Sequence, residues 1–293
     1  MLPVDQRNPL VLLNDGAHDN WSGEYAVLLA NSGGPPLAGI IVDTSLDWPD
    51  IQTNVGGYRD LVEAARASGL VNLPDPIASI GQPLLMPSTG VIADTHPNRS
   101  EGAFAIIDLS MRLGLPYRPV VIATGGALTD IADAYLLDPT VAERVVVVSS
   151  LGSVTSGGGS MGVPNGDHDP WADFIVASRF RYVQVSAWYD QLTDVPADRL
   201  GEVPTNALGD WIAAKQPNIW QWSPASDQVS VLAAGLPAFA TAALNLSAAT
   251  SLGAGATDGP TLGPAKNGPN WLVTACDGTA ATNQFWAALR NTK

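Results

Sequence analysis

The feature that most constrains this chain is its alternation of short apolar runs with helical patterns. Pro9 to Leu13 (PLVLL) is an apolar run closed by Asn14-Asp15-Gly16, and Asp19 to Asn31 then carries helical spacing. Leu37 to Val42 (LAGIIV) is a second run, followed by a helical pattern over Gly57 to Ser68. A short extended piece is expected at Pro76 to Ile80, and a helix over Glu101 to Leu113. Three further runs, Arg118 to Ala123, Arg144 to Ser149 and Tyr182 to Val185, alternate with helical patterns at Asp130 to Leu137 and Asp169 to Arg179. Short apolar runs bounded by turn residues suit parallel strands buried on both faces, because such strands have no solvent face to mark with polar residues. The alternation therefore predicts an α/β fold, a mainly parallel central sheet flanked by helices. With no visible linker, residues 1–293 read as a single domain.

Charge narrows the partners. Lys plus Arg number 14 against 28 Asp plus Glu, a net charge of −14. Such a chain is repelled by nucleic-acid backbone and by anionic membrane surfaces, so neither is expected as a partner. One cysteine, Cys276, excludes an internal disulfide framework and a multi-cysteine zinc site. The histidines are His18, His96 and His168, so a histidine-built metal site would need most of them. Oxygen sites for a hard cation stay open. The first ten residues hold Asp5, Arg7 and two prolines rather than an apolar signal core. A cytoplasmic protein is the expectation, although the start of a processed precursor reads the same.

Three segments could carry chemistry. Asn14-Asp15-Gly16-Ala17-His18-Asp19-Asn20 lies where a strand ends and a helix begins, and sets the oxygens of Asp15, Asp19 and Asn20 around one turn. A cation such as Ca²⁺ takes about six to eight oxygen ligands, which a tight turn can gather, while an Asx-turn with a helix cap would use only one Asp or Asn. Ala123-Thr124-Gly125-Gly126-Ala127-Leu128-Thr129-Asp130 again joins a strand to a helix. Its glycines admit close approach to the backbone, but it is neither a Walker loop nor a dinucleotide fingerprint. Asp227 precedes the apolar helix from Val229, where an Asp reads as a cap or as a ligand. Gly152 to Asp167 is the most glycine-rich stretch, a surface loop or a loop over a site.

Taken together these segments resemble the inosine–uridine type nucleoside hydrolase family, whose N-terminal signature is a strand followed by Asp-x-Asp-Pro-Gly-x-Asp-Asp. Leu13 to Asn20 is the matching stretch here, with Asp15, Asp19 and Asn20 on the later acids of the signature. Ala123 to Leu151 is similar to the family's Pro-Thr-Gly-Pro/Gly-Leu-Thr-Asn-Ile-Ala segment with its following helix and strand. Asp169-Pro170, Ser226-Asp227 and Asn283 to Leu289 resemble later family segments, in order, over nearly the whole chain. The resemblance implies a Ca²⁺-dependent hydrolase of the N-glycosidic bond of a nucleoside or nucleoside-like substrate. It implies Asp15, Asn20, Thr124 (through its carbonyl) and Asp227 as metal ligands, and Asp15 as the base that activates water. It also implies substrate contacts from Asp19, Asn165 and Asp227, and a homodimer or homotetramer. Trp222 is a further candidate contact, because planar bases stack on indole; Trp48 is the other indole to watch, with ordinary packing as its alternative. His96 lies in a loop that could reach the site.

The chain also departs from the family pattern. Leu13 replaces the first acid, Asn20 the fourth, Val163 a ribose-contacting Glu, and Ser226 a histidine beside the last aspartate. Serine cannot replace imidazole as a neutral-pH acid. These departures support two alternatives: a catalytically impaired sugar- or nucleoside-binding protein of the same fold, and a hydrolase of a non-nucleoside glycoside.

Overall fold

The computed structural model describes residues 2–17, 20–46, 48–150, 168–185, 197–215, 227–236, 238–252 and 260–293. The chain runs β1 (Leu10–Asn14), α1 (Ser22–Ala30), β2 (Leu37–Val42), α2 (Ile51–Ala67), β3 (Pro76–Ala78) and α3 (Glu101–Leu113). It continues through β4 (Val120–Thr124), α4 (Thr129–Leu137), α5 (Val141–Arg144), β5 (Val145–Ser150), α6 (Pro170–Arg179) and β6 (Arg181–Val185). The last elements are α7 (Ala207–Lys215), α8 (Gln228–Gly235), β7 (Ala240–Leu246), β8 (Asn270–Cys276) and α9 (Gly278–Arg290).

The strands form one eight-stranded sheet in the order β3-β2-β1-β4-β5-β6-β8-β7. All pairs are parallel except β7 with β8, which is antiparallel. Alternation inside each central strand feeds two cores. Leu10 and Leu12 of β1, Val121 and Ala123 of β4, and Val146 and Val148 of β5 face the core built by α1, α2, α8 and α9. Their neighbours Val11, Leu13, Val120, Ile122, Val145 and Val147 face the core built by α3, α4 and α6. This accounts for the unbroken apolar runs in the sequence: both faces of each strand are covered.

The expected parallel sheet and flanking helices are present, and α3 has the expected limits. Two elements differ. Helix α2 starts at Ile51, six residues earlier than the apolar spacing suggests, because Asp50 caps it by accepting the Gln52 N–H at 3.0 Å. Strands β7 and β8 lie outside the expected alternation: β7 is alanine-rich, with Thr241 to Leu244 exposed. No helix among the described residues is long and apolar enough to cross a membrane.

The order of the strands locates a site. From β1 the sheet grows through β2 to β3 on one side, and from β4 through β5 to β6 on the other. The carboxyl ends of β1 and β4 therefore flank the point where the winding reverses, the crevice in which open α/β sheets bind ligands.

Candidate active site

Two turns meet at that crevice. Asn14 ends β1 and organises the turn after it. Its Oδ1 accepts the Asp15 N–H at 2.8 Å, and its Nδ2 donates to Ser22 Oγ at 3.1 Å. Asp15 is 4% exposed, and its carboxylate accepts the Gly16 N–H at 2.7 Å. Burial pushes the Asp15 carboxyl up. Hydrogen bonds from the Ser45 hydroxyl and the Gly16 N–H, with the attraction of His168, pull it partly back.

Across the crevice, Thr124 ends β4 fully buried beside Leu13, and the Gly125 N–H donates to Leu13 O at 3.1 Å. The next residue must be glycine for lack of room, and the one after it is closely faced. A Cβ on Gly125 would stand 2.0 Å from Asp227 Cβ and 2.8 Å from Asn14 Nδ2, and one on Gly126 would stand 3.0 Å from Asp43 Oδ1. The Gly125–Gly126 turn is thus the meeting point of Asn14, Asp43 and Asp227. Asp227 lies just before α8 and is 5% exposed, yet its side chain makes no capping hydrogen bond to that helix. Its position against Gly125 separates it from an ordinary helix cap.

Asp43 follows β2 and is 1% exposed. Its carboxyl is driven well above the usual carboxylate range, first by burial and then by repulsion from Asp130, Asp15 and Asp227. Its Oδ1 is buried without a hydrogen-bond partner. Asp130 is likewise pushed up, to about 6, mainly by burial. It stands behind Asp43, and a Cβ on Gly102 in the first turn of α3 would lie 2.1 Å from Asp130 Oδ2.

Asn20 takes a different part from a bare ligand. Its Oδ1 accepts the Ser22 N–H at 2.9 Å and starts α1, while its Nδ2 donates to Gly16 O at 2.9 Å. The same oxygen also accepts from Asn14 Nδ2 at 3.5 Å, so both of its lone pairs are engaged. The Asn20 carbonyl accepts from Lys215 Nζ, which also pairs with the buried Glu24 at 2.7 Å. Trp48 lies over the turn: a Cβ on Gly16 would be 2.7 Å from Trp48 Cε2. Asn54 Nδ2 holds this loop through Asp43 O at 3.0 Å and Trp48 O at 2.9 Å.

Of the sequence-derived site residues, Asp15, Thr124 and Asp227 come together, with Asn20 in the adjoining turn. His96 is exposed on the loop before α3. Asp19, Asn165 and Trp222, with the glycine-rich loop, lie outside the described residues. Asp169 is structural: it caps α6 through Ala172 N–H at 3.0 Å and takes bonds from Leu84 N–H and Thr129 Oγ1, both at 2.8 Å. Sequence reasoning gives Asp43 no role, because it follows a buried strand without aligning to any family position.

The donor chemistry suits a hard cation: oxygen only, rich in carboxylate, with an orphaned buried oxygen and a cradle that a Cβ would fill. The acids ring the glycine turn rather than gather at one point, and among the described residues no three His, Cys, Asp or Glu side chains form a group that could hold a metal ion. Amide and main-chain oxygens, such as those of Asn20 and Thr124, are donors outside that set.

No protein-family model matches the sequence, and no curated protein matches it. Solved structures do. An inosine-uridine preferring nucleoside hydrolase from Bacillus anthracis shares 12% identity over 97% of this chain and 100% of that one, with a TM-score of 0.69. A purine-preferring ribonucleoside hydrolase from Gardnerella vaginalis shares 15% over 95% and 98%, with a TM-score of 0.63. A nucleoside hydrolase-related protein from Saccharophagus degradans, described as associated with carbohydrate metabolism, shares 18% over 97% and 71%, with a TM-score of 0.59. From end to end, the chain has the fold of the nucleoside hydrolases.

Proposed function

We propose that this chain hydrolyses the N-glycosidic bond of a nucleoside or nucleoside-like substrate, with Ca²⁺ as its cofactor. The observation that carries the reading is the set of buried carboxylates of Asp15, Asp43 and Asp227 around the Gly125–Gly126 turn at the sheet's switch point. Asp15 and Asp227 would hold the cation, with Asn20 through its amide oxygen in exchange for the long contact from Asn14 Nδ2, and Thr124 through its carbonyl. Bound there, Ca²⁺ would acidify the attacking water and orient sugar hydroxyls.

The chain's own groups do the rest. Asp15 accepts the proton of the water as the general base. The buried acids stabilise the positive charge that grows on the sugar as the glycosidic bond breaks. Asp19 and Asn165 are proposed to bind sugar hydroxyls, and Trp222 the planar leaving group. Trp48, packed on Gly16, fits as a wall of the crevice.

The test is sugar release from a panel of ribonucleosides and deoxynucleosides, with CaCl₂ or with a chelator. The expected result is calcium-dependent release. Removing the base in Asp15→Ala should cost at least about 10²-fold in kcat at saturating calcium, the usual range for a general base. Turnover unchanged in that variant would overturn the assignment.

A second reading draws on Asn20, whose side chain works as a turn and helix start, and on Leu13, buried where the family pattern has an acid. Both favour a sugar-binding protein of impaired activity, or a hydrolase of a non-nucleoside glycoside. Release from glycosides but not nucleosides would select the latter. Binding without release would select the former.

A further inference from the structure

We propose that the loops after β2 and β3 form an apolar landing at the mouth of the crevice, so that the chain selects substrates whose leaving group carries an uncharged apolar extension. This inference deepens the hydrolase reading above and rests on it for the place of the sugar.

Loops that face water are normally polar. Here Leu46 and Leu85 are 80% and 85% exposed, more than any other large apolar side chain among the described residues except Tyr117, whose hydroxyl suits solvent. Ile80 and Met86 are exposed as well. One exposed leucine needs no explanation, but four such side chains on two neighbouring loops mark a contact surface. Strands β2 and β3 are parallel neighbours. Both loops therefore leave the sheet at its carboxyl end, the end that holds the crevice.

Each loop is fastened to the groups around Asp15. Ser45, next to Leu46, hydrogen-bonds the Asp15 carboxylate through its hydroxyl. The turn that carries Leu46 is closed by Ser45 N–H to Trp48 O at 3.2 Å and by Trp48 N–H to Ser45 Oγ at 3.1 Å. The loop after β3 leans on the starts of α4 and α6. A Cβ on Gly81 would lie 3.2 Å from Asp130 Oδ1, and Leu84 N–H donates to Asp169 Oδ2 at 2.8 Å. Asp169 directly follows His168, whose attraction reaches Asp15. Pro83 and Pro87 bracket Leu84-Leu85-Met86 and restrict the backbone, so little ordering is left for a ligand to impose. Continuity with the crevice selects the occupant. The sugar meets the acids, and what projects past them to the loops is the leaving group. An apolar extension gains by burial there, whereas the net charge of −14 opposes an anionic one.

Adenosine and N⁶-benzyladenosine test this, because they share a sugar and a glycosidic bond and differ by one apolar ring. The full-length wild type should show a kcat/KM at least about tenfold higher for the benzyl compound, which burial of roughly 55 Å² of apolar surface supplies. That ratio should fall toward one in Leu46→Ser and in the double variant Leu85→Ser/Met86→Ser. It should persist in Met111→Ser, which alters an exposed side chain in the last turn of α3, close to the start of β4 and far from the crevice. Equal values for the two compounds, or a preference that survives in both loop variants, would overturn the proposal and leave the hydrolase reading standing. Loop variants that turn a dimeric wild type into a monomer without changing the ratio would assign the loops to a second copy of the chain, and would also overturn it. If neither compound is cleaved, the hydrolase reading fails by itself. Calorimetric Kd values for the same pair and the same variants then decide the apolar landing by the same ratio, and binding of neither compound would overturn both.

Discussion

The most informative single residues are the buried acids, because each holds a charge the interior resists. Asp130 shows the consequence with a sign that can be worked out. Its carboxyl titrates near 6 when folded, against an ordinary 3.8. A raised acid binds its proton more tightly in the folded chain, so its stabilising contribution is full below about pH 3.8 and is lost as pH rises through 6. The rise from 3.8 to about 6 corresponds to about 3 kcal/mol of stability that is lost by neutral pH. Asp130→Asn should therefore raise the melting temperature at pH 7.5, and the gain should shrink as pH falls toward 4. Melting curves across that range check it, and a gain that grows toward acid would refute it. The legibility of these residues follows from their chemistry. Asp15 was singled out within a turn that resembles the family signature and Asp227 by its place before an apolar helix, and the fold brings both to the glycine turn. Asp43 was not, since a lone aspartate after a strand looks like a turn residue, and only the folded chain reveals that its oxygen has no partner.

At the scale of elements, the turn after β1 is set from outside the sheet. Helix α7 ends with Lys215, whose Nζ reaches the Asn20 carbonyl, pairs with Glu24 of α1, and lies 4.9 Å from the Trp21 ring centre. Trp211, one turn earlier on α7, donates to the same Glu24 oxygen at 2.8 Å. Lys215 and Glu24 are 2% and 0% exposed, so removing one partner strands a charge in the interior. Lys215→Met should cost about 3–5 kcal/mol, and adding Glu24→Gln should recover part of it. Urea melts of the single and double variants measure this, and equal stabilities would refute the coupling. None of this was legible in the sequence, where Glu24 and Lys215 lie far apart and each reads as a solvated helix charge. Helix α3 was legible to its ends because Ser100 caps it with its hydroxyl on Ala103 N–H at 3.2 Å. The β7–β8 pair was not, because an exposed alanine-rich strand has neither alternation nor an apolar run to mark it.

For the whole molecule, the sheet's reversal between β1 and β4 brings together acids from four separate parts of the chain, beneath a surface that is itself acidic. The net charge is −14. Ion pairs that could offset it at the surface, such as Arg66–Asp75 and Arg112–Asp108, are exposed and of little energetic weight. The field at the crevice is then the sum of a negative exterior and the buried carboxylates, which a bound divalent cation would weaken. A neutral nucleoside approaches such a site freely, whereas its 5′-phosphate brings like charge. The kcat/KM for a nucleoside should therefore exceed that for its monophosphate. The gap should narrow as KCl is raised from about 0.01 M to about 0.15 M, because the screening length falls from roughly 30 Å to roughly 8 Å. Salt acts on the long-range part of the repulsion alone, so a gap that does not respond to KCl would place the discrimination in direct contacts within the crevice. A monophosphate turned over faster than its nucleoside would mean that a basic group at the crevice receives the phosphate.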